Sequence, residues 1–325
     1  MDHSAGLGDD ATGSLTPWQA RFRTAAMQYA IEADWQLLNT CNYRCKYCLS
    51  PNELLGEKLR TFASASQWKS AFDATNQVWL LHITGGEPSI YPDFVEFCRV
   101  LTQQHYISLN SNLTHPSLAR FAERIDPSRV SFINAGLHLA EREDRAGEAS
   151  FLRNAELLRS NGFPILVSLV ATPTALARFD EAVALLRPIG MFPIPKLLRE
   201  QYEGRRYPNA YSALDRTRFR LHAAEARRFH QSTLAGRAEA PSVNMFDDDR
   251  YLEGVPSYRG LSCDAGSRFV KIDPNGDVFR CSSKTRLGNL LAGTFGALSG
   301  PRPCDTAYCF YWCEKYAARR TAGHA

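Results

Sequence analysis

Cys41-Asn42-Tyr43-Arg44-Cys45-Lys46-Tyr47-Cys48 places three thiols within eight residues, directly after a β-prone run from Trp35 to Asn39. Thiolates suit zinc or iron-sulfur clusters, and both normally take four ligands. Three cysteines therefore imply either a distant fourth ligand, as in a zinc knuckle, or a coordination position left open for chemistry. Spacing alone leaves both readings standing.

The triplet is the first landmark of a repeating pattern. Further β-rich runs at Val78 to Thr84, Tyr106 to Leu109, Val130 to Ala135, Ile165 to Val170 and around Met191 to Ile194 alternate with helical stretches. The helical stretches are Ser66 to Asp73, Pro92 to Gln104, Pro116 to Arg124, Ser150 to Ser160 and Ala175 to Leu186. In Pro92 to Gln104, Phe94, Cys98 and Leu101 fall at i, i+4 and i+7 on one apolar face, so Cys98 reads as core. Such alternation builds β-α units around a parallel sheet. Six units suit a partial or complete barrel, or an open doubly wound sheet, and ligands of either gather at the C-terminal strand ends. The triplet follows the first strand and Gly85-Gly86-Glu87-Pro88 follows the second, so both stand at that end.

CxxxCxxC, with the aromatic Tyr47 before its last cysteine, resembles the signature of the radical S-adenosylmethionine (SAM) superfamily. Gly85-Gly86-Glu87-Pro88 is similar to that family's GGEP turn, in the same order along the chain. The resemblance implies an α/β fold, a partial (β/α)6 TIM-like barrel over residues 34–195. It also implies a 4Fe-4S cluster on Cys41, Cys45 and Cys48, with SAM bound to the fourth iron. An electron from a flavodoxin- or ferredoxin-like reductant would then cleave SAM to a 5'-deoxyadenosyl radical that abstracts a hydrogen atom from substrate. By the same resemblance, Gly85, Gly86 and Glu87 receive the amino group of SAM, and Tyr47 lies near its adenine. Ile107 to Thr114 looks like the family's TN turn, which would put Asn112 near SAM; an Asn capping the helix that begins near Pro116 is the plainer alternative. Gly136-Leu137-His138 falls where relatives carry Ser-Leu-Asp or Ser-Leu-His. The usual serine is thus absent, and His138 reads as a hydrogen-bonded structural histidine.

Cys263, Cys281, Cys304, Cys309 and Cys313 put five thiols into fifty-one residues. The opening CDAGSRFVKIDPNGDVFRC resembles the start of the SPASM and twitch extensions of radical SAM enzymes, which hold auxiliary 4Fe-4S clusters. The closing CxxxxCxxxC is shorter than a full SPASM module, so one auxiliary cluster is the expectation. Four ligands from five cysteines leave one thiol over, among Cys304, Cys309 and Cys313. It is either a packing residue or a hydrogen-atom donor to substrate. Asn275-Gly276 between two β-prone runs, Arg268 to Ile272 and Asp277 to Arg280, signals a hairpin. The domain reading is a tail over residues 1–33, the barrel over 34–195, a basic helical bridge and linker over 196–262, and a cysteine-rich β-hairpin module over 263–325.

Composition sets the remaining bounds. With 44% hydrophobic and 22% charged residues the chain is that of a globular protein, and no apolar run is long enough to span a bilayer. Nine cysteines without a secretory signal argue for metal or reactive thiols in a reducing compartment, so the cytoplasm is expected. A net charge of +4 does not imply nucleic-acid binding. Between Lys196 and His230 nine Lys or Arg stand against four acids, a solvated helix face or a contact for an anionic substrate. About forty residues precede Cys41, short for a leader-binding domain. That favours a small-molecule substrate of sugar or aminocyclitol type, dehydrogenated or epimerised, over a ribosomally made peptide. A non-catalytic iron-sulfur or zinc-binding protein is the remote alternative, because neither has a use for a GGEP turn.

Overall fold

The computed structural model describes residues 27–56, 63–143, 147–234, 245–246, 248–254, 256–307, 309 and 316–317. Six strands, β1 (Ile31–Leu38), β2 (Trp79–Gly85), β3 (Tyr106–Ser111), β4 (Val130–Gly136), β5 (Ile165–Val170) and β6 (Pro193–Lys196), pair in chain order and in parallel. Helices α1 (Ala65–Asp73), α2 (Phe94–Leu101), α3 (Ser117–Arg124), α4 (Glu148–Ser160) and α5 (Phe179–Leu186) occupy the connections. This is the partial barrel that the family resemblance implies, built from the alternating units that the sequence shows.

Period-2 alternation divides each strand between two faces. In β1, Ile31, Ala33, Trp35 and Leu37 enter the core under the helices. Trp35 meets Trp68 and Phe72 of α1 at 4.6 Å and 5.0 Å between ring centroids. Burying each such side chain stabilises the fold by about 1.5–3 kcal/mol. α1 is started by a capping box, in which Ser64 and Gln67 satisfy each other's backbone N–H groups.

The other face of the first three strands is polar. Buried His82 bonds Ser108 at 2.6 Å through Nδ1 and Glu32 at 2.7 Å through Nε2. The second carboxylate oxygen of Glu32 accepts from Tyr316 at 2.6 Å, which ties the C-terminal module to the barrel. β1 therefore begins at Ile31, earlier than its apolar run suggests, because Glu32 and Asp34 are strand residues.

Beyond β6, β7 (Glu200–Tyr202) and β8 (Arg205–Tyr207) form an antiparallel hairpin, and α6 (Ala213–Leu234) follows. β9 (Ser262–Cys263) later pairs with β13 (Arg302–Pro303). The Asn-Gly hairpin is present as β10 (Phe269–Ile272) and β11 (Asp277–Phe279), with Gly276 at φ 84°. It is joined to the barrel's sheet: β10 runs parallel to β1, and β12 (Arg286–Asn289) completes a nine-stranded sheet. No described helix is long and apolar enough to cross a membrane.

Candidate active site

The C-terminal strand ends surround a cavity of about 320 Å³, reached by Cys41, Cys45 and Cys48 on one side and by Lys196, Arg199 and Asp248 on another. The linker part of the segment over residues 196–262 supplies Met245 and Asp248 to this wall.

Two loops in the site are built on each other. Gly86 N–H donates to the Leu38 carbonyl and Glu87 N–H to that of Thr40, both at 2.9 Å. A Cβ on Gly86 would lie 2.0 Å from the Thr40 oxygen, and one on Gly85 would lie 2.3 Å from the Leu38 oxygen. Gly85 also sits at φ 137°. Glycine is needed here because the turn lies directly on the backbone that leads into Cys41.

Glu87 and Asn112 are placed at the cavity but held by their own chain. The Glu87 carboxylate accepts from Ser89 N (3.0 Å), Ser89 Oγ (2.5 Å), Ser111 Oγ (2.8 Å) and Asn112 N (2.7 Å). Those four bonds use its accepting capacity, so its work in this structure is to join the ends of β2 and β3. The Asn112 side chain donates to Asn42 at 2.8 Å and accepts from the Thr114 N–H at 3.1 Å. It therefore fastens the cysteine loop to β3, and the cap position of α3 belongs to Pro116.

His138 lies half-buried against the same loop. Its Nδ1 lies 2.6 Å from the Tyr47 hydroxyl and 3.6 Å from Cys45 Sγ, and its ring stacks on Tyr47. Burial, then the charge of Arg142, lowers its pKa to about 3, so the ring is neutral. A Cβ on Gly136 would come within 2.3 Å of His138 Nε2. The missing serine thus has a structural cause, since the imidazole occupies the space its side chain would need.

Arg142 is a site residue that the sequence reading missed. Fully buried, it donates to the carbonyls of Leu137, Asn112 and Gly136 and lies 3.3 Å from the Tyr43 hydroxyl. Its guanidinium also lies 4.0 Å from the Phe151 ring centroid. Burial lowers its pKa to about 10, so it stays charged at neutral pH. One cation thereby holds the cysteine loop to the ends of β3 and β4. Its only sequence signal is an arginine a few residues after a strand, in the short helix Leu139–Glu143, which is too common to single it out.

Residues 35–186 match the radical SAM superfamily profile. The chain carries a radical SAM domain. It is 28% identical over 263 residues to the PqqA peptide cyclase of Gluconobacter oxydans, covering 76% of this chain and 68% of that one. Against mycofactocin maturase MftC of Mycolicibacterium smegmatis the identity is 27% over 272 residues, covering 79% and 67%. The fold is shared with Streptococcus suis SuiB, solved bound to precursor peptide SuiA, at a TM-score of 0.55 and 15% identity over 83% of this chain and 65% of that one.

The cofactors of a radical SAM enzyme are SAM and a 4Fe-4S cluster, and the cysteine loop fits the cluster. Burial pushes the Cys41 thiol up to about 11 and the Cys45 thiol up to about 12. Both are therefore protonated unless a cationic centre stabilises the thiolates. The Tyr43 N–H points at Cys41 Sγ from 3.3 Å, a contact that suits a sulfur carrying negative charge. Among the described residues no three His, Cys, Asp or Glu side chains converge tightly enough to hold a single ion.

The C-terminal thiols form the second concentration of candidate ligands. Cys263, Cys281, Cys304 and Cys309 are buried in one packing cluster with Phe132, Leu166 and Ile194 of the barrel, and all four are free thiols. Backbone N–H groups of Ala265 and Ser283 point at Cys263 and Cys281, each from 3.4 Å. Four buried thiols in one packing cluster match the number of ligands that one auxiliary 4Fe-4S cluster takes. Cys313, the fifth, lies outside the described residues.

Proposed function

We propose that this chain is a radical SAM maturase that modifies a peptide. The observation that carries the reading is the similarity to a peptide cyclase, which runs well past the length of the barrel match and so takes in sequence beyond it. It outweighs the argument for a sugar-like small molecule, which rested on the stretch ahead of Cys41.

In this reading Cys41, Cys45 and Cys48 hold the SAM-binding cluster, and Cys263, Cys281, Cys304 and Cys309 hold the auxiliary one. Cys313 is then the spare thiol. With both cofactors bound, the site supplies a radical able to abstract a hydrogen atom from an unactivated C–H bond. The rest of the task belongs to the chain. Gly85 and Gly86 offer backbone to the amino group of SAM, while the ring of Tyr47 faces the same cavity. Lys196, Arg199 and Asp248 form a charged wall on which a peptide residue is oriented. Lys196 reaches Asp248 at 2.9 Å, and the Leu197 N–H donates to the same carboxylate at 2.8 Å.

The experiment is anaerobic reconstitution, then reduction with dithionite in the presence of SAM and of peptides encoded beside the gene. The expected result is about eight irons per chain, 5'-deoxyadenosine formation stimulated by one such peptide, and a mass change in that peptide. Stimulation by sugars or aminocyclitols alone would overturn the peptide reading. Zinc in place of iron, with no SAM cleavage, would overturn the reading of the site as a whole.

A further inference from the structure

We infer that Arg280 is the positioning residue of the auxiliary cluster. Its buried guanidinium joins the segment carrying Cys281 to the strand pair carrying Cys263 and Cys304, and its charge balances that of the bound cluster. The inference rests on the assignment of an auxiliary cluster to Cys263, Cys281, Cys304 and Cys309.

Two independent observations carry it. The first is connectivity. β9 and β13 pair with Cys263 opposite Arg302, so Cys304 follows directly on the strand that faces Cys263. Cys281 belongs to a different piece of the module, just past the end of the β10–β11 hairpin. Arg280 crosses between the two. Its Nε donates to the Ala265 carbonyl, its Nη1 to that of Pro303 and its Nη2 to that of Arg302, each at 2.9 Å. One planar fork thus fixes the residue next to Cys281 against a carbonyl two residues past Cys263 and against the two residues before Cys304. The stem is packed as closely as the head, since a Cβ on Gly266 would lie 3.1 Å from Arg280 Cγ.

The second observation is charge. Arg280 is 6% exposed, its three side-chain bonds go to neutral carbonyls, and among the described residues no carboxylate forms an ion pair with it. Buried charges are ordinarily paired. Here the residues that flank the arginine and its carbonyl partners are Cys281, Cys263 and Cys304. A 4Fe-4S core held by four thiolates carries a net negative charge. A cation at this place therefore matches the cluster rather than another side chain. Each electron added to the cluster makes it more negative, so a neighbouring cation stabilises the reduced form and raises the midpoint potential.

The test is iron content together with an EPR-monitored redox titration of the reconstituted full chain, comparing wild type with Arg280→Gln, Arg280→Lys and Arg286→Gln. The SAM-binding cluster is recognised in the same spectra by its response to added SAM. Exposed Arg286, which pairs with Asp277 at 2.7 Å in the same module, is the control and should change nothing. In Arg280→Gln iron should fall from about eight to about four per chain while the SAM-responsive cluster persists. Arg280→Lys keeps the charge but cannot reach three carbonyls at once. It should hold an intermediate amount of auxiliary cluster with the wild-type midpoint, whereas any auxiliary cluster left in Arg280→Gln should titrate at a more negative potential. Full iron with an unchanged midpoint in Arg280→Gln would overturn the inference, as would Arg280→Lys behaving like Arg280→Gln in both readouts. Loss of both clusters from Arg280→Gln would also overturn it, because a joint within the module leaves the barrel's cysteine loop intact. A wild-type chain that binds only about four irons would instead remove the auxiliary-cluster assignment beneath it.

Discussion

Gly86→Ala tests how the two motifs depend on each other. The added methyl would lie 2.0 Å from the Thr40 carbonyl oxygen and 2.4 Å from that of Asn39. A relaxed carbon contact needs about 3.5 Å, so the loops must separate by more than ~1 Å. Backbone, rather than a flexible side-chain end, is in the way. Overpacking of this kind costs about 1–3 kcal/mol, and weakening the Gly86–Leu38 and Glu87–Thr40 hydrogen bonds adds about 1 kcal/mol each. The sum, about 3–5 kcal/mol, is a large part of the stability of an ordinary domain. It has two ways to appear. If the loops stay together, thermal unfolding followed by circular dichroism shifts down by roughly 10 °C. If they part, Cys41 moves with them and reconstituted iron falls while the fold persists. Gly296→Ala is the control, because no atom lies within 4 Å of the added carbon there. Unchanged melting together with unchanged iron content in Gly86→Ala would refute the claim that the turn is glycine because it lies on the cysteine loop.

Arg142→Met keeps the bulk of the side chain but leaves the carbonyls of Asn112, Gly136 and Leu137 without their donor; a loss of about 3 kcal/mol or more is expected in urea unfolding. Tyr316→Phe removes a 2.6 Å bond to the buried Glu32 carboxylate, and a loss of about 1.5–3 kcal/mol should appear as faster amide exchange in β10, while exchange in β5 stays as it was. His230 is buried and bonded to the Phe192 carbonyl, and burial lowers its pKa from 6.5 to about 4. Below pH 6.5 the unfolded chain takes up a proton that the folded one refuses, so this residue's share of stability, about 2–4 kcal/mol, should be lost between pH 6.5 and pH 4. His230→Gln, compared with wild type by urea unfolding across that range, should flatten the decline, and equal slopes would contradict the assignment.

The sequence made the barrel legible because its signals are local. Each strand carries a short β-branched or aromatic run, and each helix an apolar face at helical spacing. The Asn275-Gly276 hairpin is legible for the same reason, since a turn needs only its own residues. Its pairing with β1 is different. Nothing within Phe269–Ile272 specifies that Phe269 will lie beside Glu32, a contact that crosses most of the chain. The charged residues of β1 misled in the opposite direction. Glu32 looks like a strand breaker until His82 and Tyr316 are seen to satisfy it, and those partners come from distant segments.

The same division runs through the site. Cysteines and glycines are legible because their chemistry restricts what they can be doing: a thiol cluster binds metal, and a paired glycine admits close backbone. Glu87, Asn112 and His138 have several possible uses, and only the fold decides among them. It commits Glu87 to four donors from β3 and its own turn. Asn112 is fastened to Asn42, and His138 lies over Gly136 against Tyr47. With Arg142, these contacts tie the cysteine loop to the ends of β2, β3 and β4. A loop that must hold three thiols in fixed relation has only short-range structure of its own, such as the Cys48 N–H bond to the Cys45 carbonyl at 2.9 Å and the Arg44 bonds to the carbonyls of Cys41 and Tyr43 at 2.6 Å and 2.8 Å. Its rigidity is therefore borrowed from the strand ends, which is why the residues that matter to a cluster on this loop extend well beyond the three that would touch it.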